Sequence, residues 1–392
     1  MRSDEPGQDL YPPGRLDLAA SAAAGAGLAA LLLTPGPDLR YLTGYDAHQL
    51  ERLTCLAVPA AGAGSGAGAA AGGQPFLVVP RLELPAAQAS PAGGLGLDMI
   101  PWDETEDPYA LVASRLGAAI PDATAGPVGL SDHMRASMVL RLRDALPGVC
   151  QALASAALRG LRARKTPAEV AALRAAGEAI DRVHARVPGW LRPGRTERQV
   201  AADIADAIIE EGHVRADFTI VGSGPNAASP HHEACDRALR EGDAVVVDIG
   251  GTMPSGYCSD CTRTYVIGAA PPALTAYYRV LQHAQQAACT AVRPGVSAAA
   301  VDAAAREPIT AAGYGEYFVH RTGHGIGLEC HEDPYIVSGN AEPLRPGMTF
   351  SIEPGIYPGP HGARIEDIVV CTEQGYERLN QASRDLACVD IR

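Results

Sequence analysis

The reading turns on His320-Arg321-Thr322-Gly323-His324-Gly325-Ile326-Gly327, which is followed by Glu329 and His331. A lone histidine is more often a satisfied core or surface residue than a ligand. Three histidines within twelve positions, set among glycines that let backbone and ligand approach closely, indicate a site. The glycines do not make a phosphate loop, because the Lys-Ser/Thr pair of that motif is missing.

Upstream, Asp248 follows Val245-Val246-Val247 in the apolar run from Ala244 to Ile249, which reads as a buried strand. A carboxylate there is costly unless something satisfies it. Taken alone, it reads equally well as a turn cap at a strand end. Twelve residues on, Asp260 sits in Tyr257-Cys258-Ser259-Asp260-Cys261-Thr262-Arg263-Thr264. Gly250, Gly251, Pro254 and Gly256 punctuate the gap, so a hairpin would return Asp260 beside Asp248. Two close carboxylates repel and need a cation or shared protons.

Downstream, Glu353 ends the strand pattern Met348-Thr349-Phe350-Ser351-Ile352 before Pro354-Gly355. Alone it would be a solvated strand end. Arg364-Ile365-Glu366-Asp367 opens an expected strand through Cys371, and alternation places Arg364 and Glu366 on one face, with Glu366 inward. Collected, two Asp, two Glu and a His suit Mn²⁺, Co²⁺, Fe²⁺ or Zn²⁺. Four carboxylates exceed what one such ion needs. They suit a carboxylate-bridged pair, the arrangement used in hydrolysis.

In order and spacing these residues resemble the pita-bread metallopeptidases of family M24, from about Leu161 to the C-terminus. Those enzymes include Xaa-Pro aminopeptidase (aminopeptidase P), Xaa-Pro dipeptidase (prolidase) and, more distantly, methionine aminopeptidase. The resemblance implies an α+β protein with a C-terminal pita-bread (creatinase/aminopeptidase) domain over residues 161–392. A smaller α/β creatinase-type N-terminal domain is expected over residues 1–160, where Arg40-Tyr41-Leu42-Thr43-Gly44 is a familiar phrase. It further implies Asp248, Asp260, His324, Glu353 and Glu366 as ligands of two divalent ions, with Asp260 and Glu366 bridging. Mn²⁺ is the first expectation; Co²⁺, Zn²⁺ and Fe²⁺ are alternatives.

By the same resemblance Glu353 accepts the proton of the attacking water, and His331 steadies the reacting carbonyl. His231, in Ser229-Pro230-His231-His232, is a catalytic and substrate-binding histidine. His320 lines the proline side, and Arg364 completes the substrate-binding set. The implied activity is hydrolysis of the bond before proline in Xaa-Pro peptides or dipeptides, and the implied assembly is a homodimer. A creatinase-like amidinohydrolase or a non-catalytic pita-bread binding module would be expected to lose the metal carboxylates. Tyr257 and Tyr335 are candidates for an apolar slot around the pyrrolidine ring. The gap between the two Asp ligands is one residue longer than is usual in the family, and Thr252 to Ser255 is expected to absorb it.

The rest of the chain sets the frame. Its 392 residues suggest two domains, and 47% hydrophobic residues permit a sizeable core. A net charge of −13 repels phosphate backbones and argues against nucleic-acid binding. Nine scattered cysteines suggest a reducing compartment. The polar start and the weakly hydrophobic stretch from Leu18 to Leu33 suggest neither a signal peptide nor a membrane span, so a cytoplasmic location is expected. Leu53 to Val58 and Pro75 to Pro80 read as strands flanking an Ala/Gly-rich hairpin loop from Ala60 to Gly73. A boundary falls near Gly160 to Lys165. Beyond it, Thr166-Pro167-Ala168-Glu169 and Thr196-Glu197-Arg198-Gln199 have the form of helix-starting capping boxes. Cys258 and Cys261 form a C-x-x-C without a second pair at zinc-ribbon spacing, and so read as packing residues.

Overall fold

The computed structural model describes residues 10–62, 73–119 and 126–390. Most of the Ala/Gly-rich run lies outside these residues, as does most of the polar start. The chain divides into two compact units, Met1–Arg162 and Ala163–Arg392. Among the described residues no helix is long and apolar enough to cross a membrane.

In the first unit, β1 (Ala30–Leu33), β2 (Cys55–Pro59), β3 (Phe76–Pro80), β4 (Asp98–Trp102), β5 (Val128–Leu130) and β6 (Gln151–Leu153) form one sheet ordered β4-β3-β2-β1-β5-β6. The central strands β1, β2 and β3 are buried along their whole lengths, as their unbroken apolar sequences require. β2 and β3 pair antiparallel, whereas β3–β4, β1–β5 and β5–β6 are parallel.

The second unit begins with the helices Pro167–Trp190 and Glu197–Glu210. Both capping boxes form, Thr166 with Glu169 and Thr196 with Gln199. The strands β7 (Arg215–Ser223), β8 (Ala244–Thr252) and β9 (Cys261–Ile267) follow. Helices Pro272–Ala291 and Ala298–Ala311 lead to β10 (Gly323–Gly325), β11 (Glu332–Ile336), β12 (Thr349–Ile352), β13 (Gly355–Ile356), β14 (Ala363–Arg364), β15 (Asp367–Cys371), β16 (Tyr376–Arg378) and β17 (Ala387–Val389). They assemble as a four-stranded sheet β17-β9-β8-β7, a five-stranded sheet β11-β10-β12-β15-β16 and the short pair β13-β14. Val245, Val247 and Ile249 on one face of β8 pack with Ile204 and Ile208 of the Glu197 helix. Ile352, Ile365 and Val369 pack with Leu281 and Ala288 of the Pro272 helix. Each sheet thereby buries one face under helices, and the other is left to build a site.

Two sequence expectations need correction. The strand expected to run unbroken from Arg364 to Cys371 is split: β14 pairs with β13, β15 pairs with β12, and Ile365 and Glu366 lie between. Simple alternation therefore does not govern Glu366. It is placed by an isolated bridge to Thr262, whose carbonyl accepts the Glu366 amide at 3.1 Å. The expected β8–β9 hairpin forms: Asp248 stands opposite Thr262 in register, and Asp260 lies close enough for the Asp248 charge to raise it. Its connection closes by a turn in which the Gly256 amide donates to Met253 at 2.8 Å, with Gly256 at φ +89°, a region that favours glycine. Finally, Tyr257 is buried and its hydroxyl donates to Glu169 at 2.5 Å, so it braces the start of the Pro167 helix and takes no part in lining the site cavity.

Candidate active site

A cavity of about 830 Å³ opens between the sheets of the second unit. Its lining includes Asp248, Asp260, His324, Glu353, Glu366, His231, His320, His331 and Arg364, so the nominated carboxylates, histidines and arginine face one space, whereas Tyr335, like Tyr257, is not among the lining residues. The sheets explain the convergence. Asp248 projects from β8, Asp260 immediately precedes β9, His324 is central in β10, Glu353 immediately follows β12, and Glu366 sits in the break before β15. The glycines beside His324 are demanded by backbone proximity: a Cβ on Gly323 would collide with the Ser351 carbonyl, and one on Gly325 with the Asp333 carbonyl.

The innermost group is Asp260, His324 and Glu366, whose ligand atoms lie within 4.8 Å of one another and which are all buried. His324 Nδ1 faces the Gly325 carbonyl at 3.1 Å, which assigns the proton to Nδ1 and leaves the Nε2 lone pair exposed to the cavity. Nε2 is 3.2 Å from Glu353 Oε1 and 3.7 Å from Asp260 Oδ2. A lone pair facing carboxylates calls for a cation or a shared proton. Burial first, and then the neighbouring Glu366, push Asp260 well above the usual carboxylate range, and Glu366 is raised by burial and by Glu353. Glu353 is pushed up to about 7, chiefly by burial. Burial, and then His331, pull His324 down to about 3. Asp248 Oδ1 is buried without a hydrogen-bond partner among the described residues. An orphaned oxygen, repelling carboxylates and a bare imidazole nitrogen together fit divalent cations.

The surrounding groups are held firmly. Thr262 Oγ1 donates to Glu366 at 2.6 Å, and Ser351 Oγ to Glu353 at 3.1 Å. Arg364 is buried, paired with Asp248, and donates to the Pro230 carbonyl, Thr262 and Tyr357. His320 is pulled down to about 4 by burial and then by Arg364. Its Nδ1 donates to the Arg321 carbonyl at 2.7 Å and its Nε2 accepts from the Tyr357 hydroxyl at 3.0 Å. Both nitrogens are engaged, so His320 offers the cavity a ring surface. His331 packs its ring against that of His324 with centroids 3.9 Å apart. It is not one of the three innermost groups.

Sequence reasoning missed four residues. Phe218 and Ile220 supply the apolar wall, and their alternation within β7 was the available signal. Arg321 also lines the cavity. Its guanidinium lies 4.5 Å from the centroid of the Tyr335 ring and has no carboxylate partner among the described residues. Its place inside the histidine–glycine motif was the hint. Glu197 is the fourth. Its side chain is inaccessible to solvent and accepts from Ser223, Asn226, His232 and Cys235, thereby shaping the loop that carries His231. Burial would raise this carboxyl, but the hydrogen bonds from Ser223, His232 and Cys235 outweigh it and hold the group at about 2. A depressed folded-state pKa adds stability above the unfolded value, lost as pH falls through the folded one. Glu197→Gln is therefore expected to cost about 2–3 kcal/mol at neutral pH. Denaturant titrations should show that deficit narrowing as pH falls from 4.5 toward about 2. A pH-independent deficit would contradict the assignment.

This architecture and its cluster define a metallopeptidase. Residues 171–373 match metallopeptidase family M24, and residues 15–164 match the creatinase/prolidase N-terminal domain. The chain belongs to family M24, with the pita-bread fold. It is 56% identical over 378 residues, 96% of each chain, to the probable dipeptidase PepE of Mycobacterium tuberculosis. It is 36% identical to the Xaa-Pro dipeptidase of Lactobacillus helveticus over 90% of this chain and 93% of that one. Its structure resembles the dipeptidase PepE of Mycobacterium ulcerans, with a TM-score of 0.87, 56% identity and coverage of 96% and 97%. It also resembles a Thermococcus sibiricus prolidase, with a TM-score of 0.85, 34% identity and coverage of 95% and 98%.

Proposed function

We propose that this protein hydrolyses Xaa-Pro dipeptides, cleaving the bond before proline. The carrying observation is a cavity in which five potential metal ligands converge beside Arg321, a cation without a carboxylate partner among the described residues. Asp248, Asp260, His324, Glu353 and Glu366 would hold two divalent ions, Mn²⁺ first among the suitable metals. When bound, such ions lower the pKa of water and polarise a carbonyl.

The chain's own groups do the rest. Glu353, held by Ser351, takes the proton of the attacking water at a carboxylate oxygen and returns it to the departing proline nitrogen. His331 donates to the carbonyl oxygen as charge grows there. His231 and the ring of His320 line the leaving-group side, and Arg364 fixes Asp248 and the His231 loop. Phe218 and Ile220 supply apolar surface for the pyrrolidine. Arg321 pairs with the free carboxylate of a dipeptide, an interaction that a longer peptide cannot make in the same way. The names of the dipeptidase relatives support this reading over an aminopeptidase. The complete carboxylate set speaks against a creatinase-like amidinohydrolase and against a non-catalytic binding module. A homodimer in a reducing cytoplasm belongs to the same proposal, and nine free cysteines agree with that compartment.

A substrate panel tests it. Ala-Pro should be cleaved well, and Ala-Pro-amide, Ala-Pro-Ala and Ala-Ala poorly. Arg321→Met should lower kcat/KM for Ala-Pro by about 10–100-fold, the worth of a hydrogen bond to a charged group, mainly through KM, while leaving the amide unchanged. Equal cleavage of Ala-Pro and Ala-Pro-Ala would end the dipeptidase assignment; equal cleavage of Ala-Pro and Ala-Ala would end the proline one.

A further inference from the structure

The C-x-x-C that leads into β9 does not act as a pair. Cys261 Sγ turns toward the Glu366 carbonyl at 3.6 Å, whereas Cys258 faces Cys330, from a segment 72 residues away in sequence. Asp217 of β7 completes the group: one carboxylate oxygen and the two sulfurs all lie within 4.8 Å of one another. Cys330 Sγ is 3.9 Å from Asp217 Oδ2, and Thr252 Oγ1 is 3.9 Å from Cys258 Sγ. The opposite oxygen, Asp217 Oδ1, is paired with Arg215, while Oδ2 accepts from the Thr252 hydroxyl at 2.6 Å and is the one that faces Cys330.

These spacings have a chemical meaning. With zinc bonds of about 2.3 Å to sulfur and 2.0–2.2 Å to oxygen, ligand atoms on a tetrahedron stand roughly 3.5–3.8 Å apart. The observed separations need only small side-chain adjustments to reach that figure. Asp217 and Cys330 are half-buried and Cys258 is buried, so an ion would have an approach from solvent and a closed far wall. The other mixed cluster, Glu197, His232 and Cys235, differs in kind. Its carboxylate is already surrounded by donors from four residues and has no free face for a cation.

We infer that Asp217, Cys258 and Cys330 form a separate site for one borderline-soft divalent cation such as Zn²⁺, distinct from the oxygen-rich cavity. Water would supply the fourth position. Sulfur ligands select Zn²⁺ and Co²⁺ over Mn²⁺, so the two sites differ in metal preference. Occupation would tie the loop before Asp260 to the segment bearing His331. A Cys258 amide bond to the Gly327 carbonyl at 2.9 Å already links that loop to the end of the glycine motif.

The test is spectroscopic and independent of peptidase activity. Co²⁺ is added stepwise to the reduced, Mn²⁺-loaded protein, and the near-ultraviolet thiolate-to-cobalt charge-transfer band is followed. Carboxylate and imidazole ligands cannot produce that band. It should grow to one equivalent per chain in wild type, disappear in Cys330→Ser, weaken in Asp217→Asn and persist in Cys235→Ser and Cys261→Ser. Cys330 is half-buried, and an unchanged circular dichroism spectrum would show that its variant is folded. No band in the wild type would overturn the site, as would a band that survives Cys330→Ser or is lost in Cys235→Ser. Because the wild-type measurement needs no variant and no substrate, it stands or falls apart from the dipeptidase proposal.

Discussion

Asp260→Asn and Glu366→Gln are each expected to lose bound metal and turnover together, while making the metal-free protein more stable. The two effects have one cause. Asp260 and Glu366 are 4% and 1% exposed; burial and then Glu366 raise Asp260, and burial and then Glu353 and Asp248 raise Glu366. A raised folded-state pKa means that the folded chain binds more protons than the unfolded one. Metal-free stability therefore falls as pH rises above the ordinary carboxylate value near 4. A divalent cation relieves the same repulsion, but it must displace the protons, so metal affinity should rise with pH. An amide removes both the repulsion and the ligand. Metal analysis should show loss of bound ions, and kcat should drop by at least the order of 10²–10³ that follows removal of an electrostatic stabiliser. Calorimetry of the metal-free proteins at pH 8 should give a higher Tm for each variant than for wild type. Variants that keep wild-type metal content and turnover would remove these residues from the metal site.

His331→Ala is expected to keep its metals and lose kcat. His331 packs on the ring of His324 but lies outside the innermost ligand group. Desolvation, and then Arg321 and His231, hold its pKa below the ordinary value. It therefore enters neutral-pH chemistry as a neutral donor to the carbonyl oxygen. Loss of one such donor costs on the order of 10²–10³ in kcat, with KM little changed because the contact strengthens as charge develops. His331→Asn, which keeps a donor, should recover part of the loss. If the metals leave with the imidazole, His331 is a ligand and the donor role is wrong.

The helix starts were legible because capping is local: Thr166 with Glu169 and Thr196 with Gln199 are each complete within four residues. The buried strand around Asp248 was legible because an unbroken apolar run has few other homes. The candidate ligands were legible because a carboxylate at the end of such a strand, or a histidine among glycines, is costly without a partner. Their order along the chain also carried the family resemblance.

Other features depended on pairings between distant segments. Alternation along a strand cannot reveal that the strand breaks at Ile365, because the break is made by Thr262 pairing with Glu366 across more than 100 residues. Tyr257 looked like a pocket residue until Glu169, 88 positions away, was seen to take its hydroxyl. Cys258 looked like the partner of Cys261, three residues on. Yet their sulfurs take separate partners, and Cys330 meets Cys258 through the approach of two loops, joined by the Cys258 amide donating to the Gly327 carbonyl. Arg321 shows the same limit from the other side: its identity was plain, but an absent carboxylate partner is a property of everything around it. Local rules determine which residue types a segment can bear and how it starts, whereas the register between segments, set by cooperative burial of whole faces, decides which side chains meet.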